Sequence, residues 1–346
     1  MSMLDEAQVK EVLKTVRYPG FSRDIVSFGL VKEVKIDGGN LTVQMALSTN
    51  EPGIPSQIRD DAEKALAALP GVTDVKVRID IQAPAQTAGS FGPAKIDGVK
   101  HIIAVASGKG GVGKSTVASN LALALQGVGW KVGLCDCDIY GPSVAMMFGG
   151  NERPTADEQD RILPIERYGV KLMSMGFLLD ETSPAVLRGP MVTRYTQQFL
   201  RQVAWGELDC LVLDLPPGTG DIQLTIVQTV ALTGAIVVTT PQEVALIDAR
   251  KAVTMFGKTS VPVMGIVENM SYFLCPGDGQ RYNIFGEGGG QREADRLQVP
   301  LLGQIPIEMK IREGGDTGSP VYREDTDSEA SKTFANIARQ VQVFCG

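Results

Sequence analysis

The chain is poor in the features that would mark several common functions. Its single histidine, His101, has no acidic or thiol neighbours at ligand spacing and reads as structural. Lysine and arginine form no dense run and the formal charge is -7, which argues against a broad nucleic-acid-binding face, because neutralising phosphates needs clustered bases. No stretch approaches the roughly 18 uninterrupted apolar residues of a membrane span. The start, MSMLDEAQVKEVL, carries acids and lacks the apolar core of a signal peptide, so a cytoplasmic, soluble protein without membrane or nucleic-acid partners is expected. Five cysteines at irregular spacing make a poor disulfide framework. Cys135, Cys137 and Cys210 lie in apolar strand-like runs, where a thiol behaves as a small hydrophobe; Cys275, in the loop CPGDG, is the one available for chemistry. No internal repeat or heptad pattern is present. Trp130 and Trp205 read as core anchors.

What is present is an α/β composition, 43% hydrophobic and 21% charged with 39 glycines, in a chain of 346 residues that is long enough for two domains. The stretch IQAPAQTAGSFGPAK, 81–95, replaces periodic patterning with Pro, Gly, Ala and Ser. The expected organisation is therefore a small α+β domain over 1–81, a linker over 82–99 and a large domain over 100–346. In the first, LKTV reads as a short helix, LVKEVKI and LTVQMAL as strands around the turn Asp37-Gly38-Gly39-Asn40, IRDDAEKALAAL as a helix and VTDVKVRI as a strand. In the second, HIIAVAS, KVGLCDCD, DCLVLDL, AIVVTTP, VMGIVENM and PLLGQIP alternate with helical segments. Such runs suit a mostly parallel sheet covered by helices on both faces. The helices are expected near 114–127, 190–204, 222–233, 244–257, 288–298 and 327–341.

The first of these strands runs into Gly108-Lys109-Gly110-Gly111-Val112-Gly113-Lys114-Ser115-Thr116, which satisfies the G-x-x-x-x-G-K-[ST] spacing and opens a helix. Glycines let backbone N–H groups curl around phosphate oxygens, Lys114 neutralises the β and γ phosphates, and Ser115 places a hydroxyl on Mg²⁺. Binding and hydrolysis of ATP are the expectation. Two acidic positions fit it. In LCDCDIYGPS, Asp136 and Asp138 are two apart, which would set them on one face of a strand end. In CLVLDLPPGTGD, an apolar strand ends in Asp214, placed to hold Mg²⁺ through water, and a Pro-Pro-Gly turn follows.

The extra lysine makes GKGGVGKST similar to the deviant P-loop of the MinD and ParA ATPases. In that family the residue matching Lys109 reaches the partner's nucleotide in an ATP-dependent sandwich dimer, a role that would make Lys109, Lys114 and Asp138 catalytic. By the same resemblance Asp138 orients or deprotonates the attacking water, Asp136 supports the Mg²⁺ shell, and Asn269 occupies the position that reads adenine. The segments SMGFL, RGPMVTRYTQQFL, WGELDCLVLDLPPGTGDIQLT, ENMSYFLCPGDG, IFGEGGG and VPLLGQIPIE resemble the Mrp/ApbC iron–sulfur cluster carriers over roughly 100–346. GLVKEVKIDGGNLTVQMALST and LPGVTDVKVRI resemble the iron–sulfur-assembly domain that precedes the ATPase in many bacterial members.

The resemblance implies a homodimeric ATPase that passes a labile [4Fe-4S] cluster to apo-proteins, the cluster bridging subunits through a C-x-x-C pair from each. Cys275 matches the first cysteine, but the second position is Asp278, so a symmetric dimer offers two thiolates and two carboxylates. Replacing thiolate with a harder oxygen donor weakens cluster binding. The small domain likewise lacks the cysteine usual after its second strand: the stretch reads NEPGIPSQ, with Ile54 before Pro55. Two alternatives follow: an ATPase scaffold or adaptor that carries no cluster, and a MinD/ParA-like positioning ATPase. The second needs a basic amphipathic end, which EASKTFANIARQVQVFCG does not supply.

Overall fold

In the computed structural model, residues 5–17, 19, 24–26, 30–48, 53–82, 93–150, 152–159, 161–177 and 199–346 are described, and the chain divides into two units, 1–91 and 92–346. The first unit opens on the helix Glu6–Leu13. Its start is set by a capping box: Gln8 N–H donates to the Asp5 carboxylate at 2.8 Å and Asp5 N–H donates to the Gln8 side chain at 3.3 Å. This corrects the expected LKTV helix, since Leu13 closes the helix that the cap started earlier. β1 (Val31–Asp37) pairs antiparallel with β2 (Asn40–Ser48), and the helix Gly53–Ala67 crosses over to β3 (Asp74–Gln82), parallel to β2. Strand alternation sends Leu41, Val43, Met45 and Leu47 to one face, where they pack with Ile58, Ala62 and Leu66 of the crossover helix and with Val9 and Leu13.

The second unit is built on an eight-stranded sheet. Its strands are β4 (Val99–Ser107), β5 (Val132–Asp136), β6 (Ile165–Arg167), β7 (Val170–Met173), β8 (Leu208–Asp214), β9 (Gly234–Thr239), β10 (Val263–Glu268) and β13 (Leu301–Gln304). A separate two-stranded hairpin, β11 (Phe273–Leu274) and β12 (Arg281–Tyr282), follows β10. The order is β13-β10-β9-β4-β8-β5-β7-β6, parallel except for the antiparallel pairing of β6 with β7. The edge hairpin β6–β7 was not expected from the sequence.

Helices cover both faces, as the continuous apolar runs require. Lys114–Gly127 and Glu329–Cys345 pack on one; Asp221–Thr229 and Glu243–Lys258 pack on the other. The helix expected near 190–204 falls largely outside the described residues, of which 199–202 are helical. The chain crosses between the two faces on either side of β4, so the carboxyl ends of β4, β5, β8, β9 and β10 surround the crevice where ligands bind in open α/β sheets.

Candidate nucleotide site and the Cys275 hairpin

The loop Gly108–Gly113 leaves β4 and turns into the helix Lys114–Gly127. Two of its glycines are sterically required. A Cβ on Gly108 would fall on the backbone carbonyl of Asp248, so the helix Glu243–Lys258 is seated directly against the loop. Gly113 caps the helix with φ 82°, a left-handed conformation costly for other residues, and a Cβ there would fall on the Asn269 amide nitrogen. The turn after β8 closes the other side: Gly218 N–H donates to the Ser107 carbonyl at 3.0 Å, and Ser107 Oγ donates to the Lys109 carbonyl at 2.9 Å.

Inside this cradle Lys114 Nζ donates to Asp214 Oδ1 at 2.5 Å and to Ser115 Oγ at 3.2 Å. The two charges are 6% and 0% exposed, so solvent screens them little. Asp214 Oδ2 is buried with no hydrogen-bond partner, an acceptor aimed at something beyond the protein's own donors. Burial pushes the Asp214 carboxyl up, while Lys114 and the Ser115 hydroxyl hold it down. Ser115 and the free oxygen of Asp214 thus form an oxygen-donor pair beside the phosphate cradle, the donor type that Mg²⁺ takes.

Asp136 lies opposite Asp214 in the β5–β8 register. The expected shared strand face for Asp136 and Asp138 is corrected here, because β5 ends at Asp136 and Asp138 sits in the turn that follows. Asp136 spends its oxygens on that turn. Oδ1 accepts Asp138 N–H at 3.0 Å, and Oδ2 accepts Ser143 N–H at 3.0 Å, Val144 N–H at 3.1 Å and the Ser174 hydroxyl at 3.0 Å. Burial, then the Asp214 charge, pushes the Asp136 carboxyl up to about 7 against the pull of the Val144 and Asp138 amides and Lys114. Asp138 is partly exposed, accepts Gly141 N–H at 3.3 Å, and is near enough to Asp214 to raise it further. Lys109 is partly exposed and forms no ion pair with a described residue.

Asn269 follows β10 directly and is 5% exposed. Its Nδ2 donates to the Val112 carbonyl at 2.9 Å and its N–H to the Thr239 carbonyl at 2.8 Å, so it braces the phosphate loop from the neighbouring strand end. Sequence spacing alone did not reveal this brace, nor the Lys114–Asp214 pair, nor the buried Glu268 beside it. Glu268 accepts the Ser271 hydroxyl at 2.6 Å, the Gln304 amide at 2.8 Å and the Gly290 N–H.

Cys275 stands at the start of the β11–β12 connection, partly exposed. Gly279 N–H donates to its carbonyl at 2.9 Å and its own N–H donates to the Gln280 carbonyl at 3.0 Å, which folds CPGDGQ into a tight knuckle. The knuckle sets the Cys275 thiol near enough to Asp278 to help hold that carboxyl down. Asp278 also accepts Gln280 N–H at 2.9 Å and the Tyr282 hydroxyl at 2.7 Å. These donors hold its carboxyl below the usual range, the Gln280 amide foremost. The remaining thiols are poor ligands by comparison. Cys135, Cys137 and Cys210 are buried; hydrogen bonding to Cys135 and burial push Cys137 well up, and burial does the same to Cys210, while Cys345, partly exposed at the end of the last helix, is also raised by burial. Among the described residues no group of three or more His, Cys, Asp or Glu is arranged to hold a metal ion within one chain. His101 stacks on Trp130 at 5.8 Å, a structural contact. No helix among the described residues is long and apolar enough to cross a membrane.

Residues 98–342 match the family described as NUBPL iron-transfer P-loop NTPase, and residues 6–79 match the iron–sulfur cluster assembly protein family. An iron–sulfur cluster carrier protein of Deinococcus radiodurans is 48% identical over 328 residues, covering 94% of this chain and 92% of the relative. A nucleotide-binding protein of Archaeoglobus fulgidus, solved in complex with ADP, is 39% identical with a TM-score of 0.61, covering 69% of this chain and 93% of that one. The cell-division ATPase MinD of Pyrococcus furiosus, at 23% identity, shares the fold with a TM-score of 0.55 over 70% of this chain and 99% of its own.

Proposed function

This chain belongs to the NUBPL-type family of iron-transfer P-loop NTPases, and on that premise we propose that it is a homodimeric ATPase that accepts an iron–sulfur cluster on Cys275 and hands it to apo-proteins. The observation that carries the nucleotide half is the meeting of Lys114 and Asp214 inside a glycine cradle, with Asp214 Oδ2 left unpartnered. The β and γ phosphates of ATP compete for Lys114, and its transfer to them releases Asp214. Ser115 and Asp214 are the residues that would hold Mg²⁺, which would neutralise charge developing on the phosphate oxygens. Asp138, partly exposed at the rim, orients the attacking water. Asp136, with both oxygens engaged, acts on the site by fixing the turn that carries Asp138. Asn269 keeps Val112 in place, and in this reading it also contacts the adenine, as the resemblance implies.

Lys109 belongs to the second copy's nucleotide in this reading. Its lack of an ion-pair partner among the described residues leaves it free to reach outward. The test separates binding from chemistry: Lys109→Ala should lower ATP turnover about a hundredfold or more while leaving affinity for ATP within a few-fold. Equal turnover in variant and wild type would remove the trans role.

For the cargo, Cys275 is the one partly exposed thiol in a loop built to present it, and a dimer brings two such thiols. Asp278 supports a second reading, a nucleotide-dependent scaffold without a cluster, because its exposed carboxylate is already engaged by Tyr282 and Gln280. Anaerobic loading with iron and sulfide, compared between wild type and Asp278→Cys, decides between them. A wild type that stays colourless while the variant loads would favour the scaffold. The positioning-ATPase alternative has less support, since Phe334, Ile337, Ala338 and Val341 of the last helix are buried in the core.

A further inference from the structure

Seven consecutive residues join the phosphate loop to the cargo thiol. Asn269 touches the loop through the Val112 carbonyl at 2.9 Å, and Cys275 lies six positions further on. The intervening backbone is tied at almost every step. Ser271 N–H donates to the Ile305 carbonyl at 2.9 Å, Ile307 N–H donates to the Tyr272 carbonyl at 2.7 Å, and Phe273 bridges Ile307. Phe273 and Leu274 then pair with Tyr282 and Arg281, and the Arg281 guanidinium covers the Tyr272 ring at 4.3 Å.

The origin of the segment is equally fixed. Glu268, wholly buried, gathers the Ser271 hydroxyl, the Gln304 amide and the Gly290 N–H, and its own carbonyl accepts Ile305 N–H at 2.8 Å. Between the two ends Met270 alone has a positive φ, 54°. The contact at the segment's head is tight, because the Asn269 amide fills the space that a Cβ on Gly113 would occupy, at the residue immediately before Lys114.

We propose that Glu268 and Ser271 are positioning residues that transmit the occupancy of the phosphate loop to Cys275, so that nucleotide binding changes the exposure of the cargo thiol. The proposal rests on the nucleotide and cargo assignments made above, and deepens them by naming the connection. When phosphates draw Lys114 from Asp214, the loop backbone at Val112 and Gly113 shifts against Asn269. The Glu268–Ser271 bond then carries that shift into the β11–β12 knuckle instead of letting it dissipate at Met270. The linkage is reciprocal: occupation of Cys275 changes nucleotide affinity by the same factor.

The test uses the full chain with thiols reduced and iron removed by chelation. The rate of iodoacetamide alkylation at Cys275 is followed by peptide mass spectrometry, with and without a non-hydrolysable ATP analogue and Mg²⁺. Affinity for a fluorescent ATP analogue is measured on the same samples. The wild-type rate should change by roughly fivefold or more on nucleotide binding. In Ser271→Ala the change should fall below about twofold with affinity retained, and Ser271→Thr should restore it. Gln304→Ala, which removes a different donor from Glu268 at an exposed position, is the second variant and should also blunt the response. An unchanged Cys275 rate in wild type that demonstrably binds nucleotide overturns the linkage and leaves the ATPase assignment standing. Full responses in both Ser271→Ala and Gln304→Ala overturn the route. A wild type that binds no nucleotide overturns both.

Discussion

Lys114 and Asp214 stabilise each other where water does not reach, so each is a liability without the other. Lys114→Ala should abolish ATP binding and also cost about 3–5 kcal/mol of stability, because it strands a buried carboxylate. The double variant Lys114→Ala with Asp214→Asn should recover most of that stability while still failing to bind ATP. Denaturant titration and nucleotide fluorescence on the same samples separate the two effects. Asp136 gives a pH signature. Its carboxyl is raised from 3.8 to about 7 in the folded chain. Between those values the folded state holds a proton that the unfolded state has released, so stability falls as pH rises through this window and the penalty is complete above it. The slope is at most about 1.4 kcal/mol per pH unit, and Asp136→Asn should flatten it in denaturation series spanning about pH 5 to 8. Single residue types at strict spacing made Lys114, Ser115 and Asp214 legible in the sequence. The partners of Asp136 were not, because its four donors are three backbone N–H groups and one serine hydroxyl, which carry no such spacing signal.

At the scale of elements, the phosphate loop depends on backbone that only glycine permits. Gly113→Ala should cost about 1–2 kcal/mol from the left-handed conformation alone, and should weaken ATP binding by pushing Asn269 off Val112. Gly257, near the end of the helix Glu243–Lys258, has open space where an alanine methyl would stand, with nothing within 4 Å, so Gly257→Ala should leave stability unchanged or raise it by about 0.5 kcal/mol. Thermal melts distinguish the two glycines. The central parallel strands were legible as apolar runs because burial on both faces removes the need for polar alternation. The β6–β7 hairpin was missed because its turn is Tyr168-Gly169, with φ 51° and 76°; the tyrosine takes a place where Asn or Asp is the usual signal. The first helix was displaced toward LKTV because its periodic apolar residues, Val9 and Leu13, are few and its true start lies in the Asp5–Gln8 cap.

At the scale of the whole chain, the P-loop NTPase unit and the smaller unit have separate cores, so loss of the smaller one should leave nucleotide binding intact. A chain beginning at Gly92 should fold and bind ATP with affinity within a few-fold of the full protein, by circular dichroism and fluorescence titration. The cargo is the other whole-molecule property, because among the described residues no group of three or more His, Cys, Asp or Glu is arranged to hold a metal ion, and the proposed carrier draws its ligands from two copies. The most direct measurement is anaerobic reconstitution of wild type and Cys275→Ala with iron and sulfide, followed by iron and sulfide counts and absorption spectra on the dimer fraction. The account predicts stable iron and acid-labile sulfide on the wild-type dimer and their loss in Cys275→Ala. Equal uptake by both, or none by the wild type, would contradict it.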